Sequence, residues 1–152
     1  MNKTKSLKFI ADCHLGKLAK YLRMMGFDTL FFNSIDDDEL IALSAQEERI
    51  ILTRDKLLHE NKTSNTFYLH SINHLEQLRE LNRAFLIKNK REKPRCILCN
   101  VTLKEINKKE ILDQLPKKVV KYFDFFEVCS KCGRVYWHGS HFKRMMNTIE
   151  SI

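Results

Sequence analysis

Four of the five cysteines in this 152-residue chain stand in two C-x-x-C pairs, Cys96 with Cys99 and Cys129 with Cys132. Two residues between cysteines let both sulfurs of a pair reach one ion, and Zn²⁺ favours four tetrahedral thiolate ligands. Four thiolates leave no open position on the metal, so the pattern predicts a structural zinc site. The alternatives are a thioredoxin-like dithiol or two buried thiol pairs, although a redox dithiol usually stands alone.

The distance between the two pairs departs from that of a common zinc ribbon. Twenty-nine residues separate Cys99 from Cys129, against the usual ~15–20. The excess has a helical pattern that Pro116 divides into two short helices, so residues 96–152 are predicted to form a zinc ribbon with a helical insertion. Residues 88–95 (KNKREKPR) are basic and contain Pro94. They are interpreted as a linker that separates the ribbon's core from that of residues 1–87.

Residues 1–87 alternate between strand and helix patterns. Short apolar strands are expected at 7–11, 27–32, 49–53 and 66–69, with helices at 15–25, 34–45, from Lys56 onward, and at 73–86. In the first helix, Lys17, Lys20 and Arg23 fall opposite the apolar positions. This alternation predicts an α/β fold with a parallel sheet covered by helices on both faces. The carboxyl ends of the strands then share one edge, where ligands bind in open α/β sheets.

Aspartates stand at three places that this topology brings to the same edge. Asp12 ends the first strand, Asp36 to Asp38 open the second helix, and Asp55 ends the third strand. Taken singly, each acid is explained as a helix cap. Taken together, they favour a Mg²⁺ or Mn²⁺ site, which would activate water for phosphoryl displacement. Lys17, Arg54 and Lys56 are near enough in sequence to position a phosphate.

The charge of the chain is unevenly distributed. Residues 1–87 contain 12 Lys/Arg and 12 Asp/Glu, whereas residues 88–152 contain 15 Lys/Arg and 7 Asp/Glu. The basic half favours a polyanionic partner, and nucleic acid over a membrane because no segment pairs a basic face with Trp and Phe. A solubilising surface is the alternative interpretation.

The segment after the second cysteine pair is rich in aromatic and basic residues. The candidate nucleic-acid contacts are Arg134, Tyr136, Trp137, His138 and His141. Aromatic rings stack on bases while Arg and Lys meet phosphates. Equally, a small ribbon could bury Trp137 for lack of other core.

No apolar run approaches the ~18 residues of a membrane span, and residues 1–8 lack the apolar core of a signal peptide. A cytoplasmic location is therefore expected.

Three segments together resemble a known family. They are FIADCHLGKLAKYLRMMGFDT, DDDELIAL and RIILTRD, which resemble the PIN-like nuclease fold. Together with the C-terminal segment CGRVYWHGSH, they resemble the Mut-seven C-terminal RNase domain. This resemblance extends over about residues 7–146. The resemblance implies a PIN-like, metal-dependent ribonuclease fused to a zinc ribbon. Its acidic positions would fall on Asp12, on Asp37 with Asp38 as the alternative register, and on Asp55.

Two main hypotheses follow, a ribonuclease with Mg²⁺ or Mn²⁺ and single-stranded RNA as substrate, and a non-catalytic RNA-binding protein with a degenerate PIN-like fold. The completeness of the acid set separates them, because a fourth acid common in PIN sites has no clear candidate. An adaptor that docks on a ribosome or another protein is a third hypothesis, and redox chemistry a weak fourth.

Overall fold

The structure is a computed structural model that describes residues 5–61 and 65–152. Residues 1–4, half of the polar N-terminal segment, lie outside the described residues, as do residues 62–64. The first half contains a sheet with the strands β1 (Lys8–Ala11), β2 (Asp28–Phe31), β3 (Ile50–Thr53) and β4 (Thr66–Tyr68). Their order is β2-β1-β3-β4, and every pairing is parallel. The predicted α/β architecture is confirmed.

Four helices connect and cover these strands: α1 (Gly16–Met24), α2 (Asp37–Glu47), α3 (Lys56–Glu60) and α4 (His74–Phe85). Side chains of β1 alternate between the two faces of the sheet. Phe9 and Ala11 join the core formed with α1 and α4, while Ile10 packs with Leu40 of α2 and Leu58 of α3. Both faces are therefore buried, as a parallel sheet requires.

The strand order creates a topological switch point between β1 and β3. From β1 the chain moves outward to β2, and from β3 it moves outward in the other direction to β4. The crevice beyond the carboxyl ends of two such strands is the usual ligand site of an open α/β sheet. Asp12 follows β1 and Asp55 lies two residues beyond β3, so the topology places both acids at this crevice.

Residues 96–152, here called the zinc module, form a second, antiparallel sheet. Its strands are β5 (Lys104–Ile106), β6 (Phe126–Val128) and β7 (Val135–Tyr136), in that order. The expected helical insertion contains two 3₁₀ turns (108–110 and 112–114), followed after Pro116 by α5 (Lys117–Tyr122). The chain ends on α6 (Ser140–Glu150). Within the described ranges, no helix is long and apolar enough to cross a membrane.

The zinc module shares its core with the first half of the chain, and the expectation of two separate cores is wrong. Ile97, Met145 and Ile149 belong to the same buried cluster as the apolar side chains of α1. The segment 88–95 is held against the end of α1, where the Glu92 amide donates to the Met25 carbonyl at 3.0 Å. A basic, polar composition marks a change along the chain here without separating two hydrophobic cores.

Gly26 is required at this junction for two reasons. Its φ is +92°, a left-handed conformation that side chains disfavour, and a Cβ atom there would lie 2.6 Å from the backbone of Glu92. The predicted glycine at the end of α1 therefore also permits the close approach of the connecting segment.

Arg23 shows why the two halves dock. The sequence predicts it on the solvent face of α1, but it is only 7% exposed. Its guanidinium donates to the backbone carbonyls of Thr29 and Ile97, both at 2.8 Å. The side chain of Asn100 adds a second bridge, because it accepts from the Thr29 amide and donates to the Asp28 carboxylate. The zinc module thus covers the outer edge of β2.

Candidate functional site

The carboxylate of Asp12 is held by the strand ends rather than by a helix. Its Oδ1 accepts from the Cys13 amide at 2.7 Å, and its Oδ2 accepts from the Thr53 hydroxyl at 3.0 Å. The first residues of α1 receive no side-chain cap. The interpretation of Asp12 as a helix cap is therefore wrong, and the structure ties this acid to the end of β3.

Asp55 does act as a helix cap. Its Oδ1 accepts from the Leu57 and Leu58 amides at 2.9 and 3.3 Å, at the start of α3. The backbone amide of Asp55 donates to the Thr53 hydroxyl at 3.0 Å. One buried threonine thus hydrogen-bonds to both Asp12 and Asp55. Because the cap uses Oδ1 alone, capping and metal binding by Asp55 are compatible.

In the run of three successive aspartates, Asp37 is coupled electrostatically to Asp12 and Asp55. Burial raises its pKa above the usual range, and the negative charges of Asp55 and then Asp12 raise it further. Asp36 occupies the capping position of α2 without a side-chain cap bond. Asp38 lies in the same exposed first turn of α2, and the choice between the Asp37 and Asp38 registers stays a prediction.

The three acids do not converge as closely as the cysteines do. In the parts of the chain that the structure describes, the four cysteines are the only group of three or more metal-ligating side chains close enough to hold one ion. The structure thus brings Asp12, Asp37 and Asp55 to one sheet edge, where the negative charges of Asp12 and Asp55 act on Asp37. The three carboxylates are not close enough to one another to hold one ion together.

The four predicted zinc cysteines do come together. One ligand atom from each of Cys96, Cys99, Cys129 and Cys132 lies within 4.8 Å of all the others. The Sγ atoms of Cys96 and Cys132 are 3.8 Å apart, which matches the ~3.8 Å edge of a tetrahedron with Zn–S bonds of ~2.3 Å. This cluster can hold one zinc ion.

Hydrogen bonds change the acidity of two of these sulfurs in opposite directions. Burial raises the pKa of Cys129, but backbone N–H groups of Cys132 and Lys131 donate to its sulfur and bring the pKa down to about 7. Burial and hydrogen bonds with Cys132 and Cys129 raise the pKa of Cys99 to about 12. The raised pKa of Cys99 opposes its ionisation near neutral pH, and a metal ion at this cluster would supply the compensating positive charge.

Tyr136 supports the cysteine cluster from outside. Its hydroxyl accepts from the Ile97 amide at 3.1 Å and lies 3.1 Å from Cys96 Sγ, to which it can donate. Burial and this contact raise its pKa. The structure uses the polar end of Tyr136 to hold Cys96, one of the four clustered cysteines, and its role as a nucleic-acid contact stays a prediction.

The other predicted contacts of the zinc module have different surroundings. Trp137 is partly buried against Phe126, with ring centroids 6.5 Å apart, which favours the core interpretation over base stacking. His138 is exposed and stacks on Phe142, with centroids 4.0 Å apart. Arg134 and His141 are exposed and line the groove described below.

Among the basic candidates near the acids, Lys17 and Lys56 are exposed at the starts of α1 and α3. Arg54 is otherwise engaged, because its Nη1 donates to the carbonyls of Leu69 and His70 at 3.2 and 2.7 Å. Its guanidinium therefore fastens the end of β3 to the end of β4. These bonds give Arg54 a structural role, and phosphate positioning by this residue stays a prediction.

Two contributors were missed in the sequence interpretation. Thr53 stands immediately before the Arg-Asp pair and could have been recognised as a polar residue ending an apolar strand. Lys20 was assigned only to the solvent face of α1, yet it lines a groove of about 850 Å³ between α1 and the zinc module. No local pattern reveals that groove, because its second wall comes from a distant part of the chain.

The comparisons with known proteins agree with this architecture. The family model described as the Mut7-C RNAse domain matches residues 7–149 of the chain. No curated protein and no solved structure matches it. Since the match includes the parallel sheet, the three acid positions and all four clustered cysteines, the chain belongs to the Mut7-C RNase domain family, which suggests an RNase-like function.

Proposed function

We propose that this protein is a Mg²⁺- or Mn²⁺-dependent ribonuclease that hydrolyses phosphodiester bonds of single-stranded RNA at its acid edge. One observation carries the proposal most directly. Asp12 and Asp55 flank the switch point of the sheet, and Thr53 hydrogen-bonds to the Asp12 carboxylate and to the Asp55 backbone amide, while the negative charges of both acids act on Asp37.

The donor set suits these ions. Carboxylates are preferred ligands of Mg²⁺, which keeps several waters and often binds through only one or two acids. Direct contact of all three aspartates with one ion is therefore unnecessary. A bound divalent cation would activate a water and stabilise the charge of an in-line displacement. The protein's own part is to fix the acids, since Thr53 and the Cys13 amide orient Asp12, and the amides of α3 orient Asp55.

RNA binding is assigned to the basic residues beside this edge. Lys17 and Lys56 are the exposed cations nearest to the acids in sequence, and Arg134 and His141 extend the basic surface onto the zinc module. The four cysteines would hold a structural Zn²⁺, because four thiolates close the coordination shell and leave no position for a substrate.

The test is the isosteric variant Asp55→Asn. Asparagine caps helices about as well as aspartate, so α3 should form and RNA binding should persist. Loss of a carboxylate ligand should lower Mn²⁺-dependent cleavage of labelled single-stranded RNA by ~100-fold or more, beyond the loss expected for a supporting residue. The variants Asp37→Asn and Asp38→Asn form a matched pair in one helical turn, and only the first should lose activity.

Contamination by another nuclease is excluded by purifying all variants in parallel. Full activity of Asp55→Asn would reduce that residue to a cap and contradict the proposed site. A wild-type protein that binds RNA but shows no cleavage with either metal would support the alternative, a non-catalytic RNA-binding protein.

A further inference from the structure

A groove of about 850 Å³ runs between α1 and the zinc module. One wall carries Lys17 and Lys20, which lie three residues apart and so point to the same side of α1. The opposite wall carries Arg134 and His141 of the zinc module. Because Ile97 and Met145 of the module are fixed in the shared core, these walls are held at a set distance from each other.

The exposed cations of the groove, Lys17, Lys20 and Arg134, have no carboxylate partner among the described residues that line it. Among the described residues that line it, none is acidic. No carboxylate in the described ranges forms an ion pair with Lys17, Lys20 or Arg134. By contrast, Lys88 and Arg91, on another part of the surface, both pair with Glu150. Cations that face each other across a concave surface concentrate the positive potential and attract a polyanion.

The groove also leads to the acid edge. Gly16 and Lys17 line it and follow Asp12 by only a few residues, and the Leu15 amide donates to the Asp12 carbonyl at 2.9 Å. On the other side Phe31 lines it, and this residue pairs in register with Ala11, the neighbour of Asp12. A single-stranded nucleic acid lying in the groove would therefore emerge beside Asp12 and the other aspartates of the acid edge.

We propose that single-stranded RNA lies in this α1 groove, with its phosphates held between the lysines of α1 and Arg134 of the zinc module. This inference deepens the proposed function and rests on it for the direction of the strand toward the acids. It extends the expectation that the basic half favours a polyanionic partner, because α1 supplies one of the two walls. The exposed Leu98 side chain and the Phe31 ring offer apolar surface to bases.

The experiment measures binding of the full-length protein to a short fluorescein-labelled oligouridylate by fluorescence anisotropy. No Mg²⁺ or Mn²⁺ is added and no chelator is present, so that bound zinc is kept and the probe stays intact. The groove variant is Lys20→Gln combined with Arg134→Gln. The control variant, Lys117→Gln combined with Lys118→Gln, removes the same charge from exposed residues of α5 outside the groove. Thermal unfolding verifies that both are folded.

Each phosphate contact to a single strand contributes about 0.7 to the slope of log K against log salt. We expect each single groove variant to lower the magnitude of the slope by about 0.7 and the double variant by about 1.4. The control should keep the wild-type slope, and Arg134→Lys should keep it too because the charge remains.

An equal loss in the control would show that overall charge, and not the groove, binds RNA. A smaller slope in Arg134→Gln with an unchanged slope in Lys20→Gln would confine RNA to the zinc module. Each of these two results would overturn the inference. Cleavage is measured separately with Mn²⁺. A protein that binds through the groove but does not cleave refutes the nuclease proposal alone, whereas normal cleavage with unchanged slopes in the groove variants refutes the groove alone.

Discussion

Thr53 is the residue on which the candidate site most directly depends, although it has no chemistry of its own. It is fully buried, its hydroxyl donates to Asp12 Oδ2, and it accepts from the Asp55 amide. The variant Thr53→Val keeps the shape and removes both bonds. We expect the variant to fold, to be less stable, and to lose cleavage because Asp12 is no longer held toward β3.

The magnitude follows from the two lost bonds. A hydrogen bond to a charged group contributes ~1.5–3 kcal/mol, and an amide left without its acceptor costs ~1–3 kcal/mol, at the low end here because water reaches Asp55. Allowing for non-additivity, Thr53→Val should lower the free energy of unfolding by about 2–3 kcal/mol. For a chain of this size the melting temperature should fall by roughly 4–12 °C.

The assay pairs thermal unfolding, followed by circular dichroism, with Mn²⁺-dependent cleavage measured well below the melting temperature. Thr53→Ser is the control, because it keeps the hydroxyl and loses only a methyl group, at a cost of about 1 kcal/mol. Cleavage should fall by ~10–100-fold in Thr53→Val, as for loss of a residue that orients a metal ligand, and should largely persist in Thr53→Ser. If Thr53→Val is folded and cleaves RNA at the wild-type rate, the positioning role of this hydroxyl is refuted.

Two further predictions concern the frame that carries the site. Removal of zinc by a chelator should destabilise the whole chain in one unfolding transition, because Ile97 and Met145 belong to the main core; differential scanning calorimetry showing a surviving independent transition for residues 1–87 would contradict this. Burial opposes ionisation of Asp28, but hydrogen bonds from Arg49 and Asn100 outweigh it and lower its pKa below the usual 3.8. The stabilisation by ionised Asp28 should therefore be present above pH 3.8 and fade as the pH falls through the lower pKa of the folded state. The free energy of unfolding in urea should differ between Asp28→Asn and wild type near neutral pH, and the two values should converge in acid.

The elements with clear periodicity could be predicted from the sequence. The four parallel strands and α1 to α4 lie within a few residues of their expected positions. Each of these elements buries apolar side chains, and the spacing of those residues in the sequence therefore indicates whether the segment is a strand or a helix. The cysteine cluster was predictable for a different reason, since C-x-x-C spacing reflects the geometry of one ion.

The zinc module was predicted less well. Its strands β5, β6 and β7 have only two or three residues each, too few to show alternation. The helix α6 does carry a helical signal, because Phe142, Met145 and Ile149 stand at helical spacing.

Arg23 illustrates what no local pattern could reveal. A cation opposite the apolar stripe of a helix is normally solvated, and only the arrival of Ile97, 74 positions later, turns that face of α1 into an interior. The same long-range docking creates the groove, and it determines which lysines face solvent and which face a second wall. Burial and contact between distant segments belong to tertiary structure, which local sequence patterns do not show. The basic composition of residues 88–95 indicated two separate cores, whereas the structure has one shared core.

The docking of the zinc module also bears on the acids, through the edge strand β2. A sheet edge exposes backbone groups that are prone to pair with other chains, and here Asn100 accepts from the Thr29 amide while Arg23 donates to the Thr29 carbonyl. Because β2 pairs in register with β1, the covered edge steadies the strand that Asp12 directly follows. The next residue after Cys99 is Asn100 itself, so the cysteine cluster fixes the side chain that covers the edge. A substitution of Asn100 by Ala should therefore lower cleavage and stability together, although the residue is remote from the acid edge, and retention of both by Asn100→Ala would show that the module's contact with β2 is dispensable.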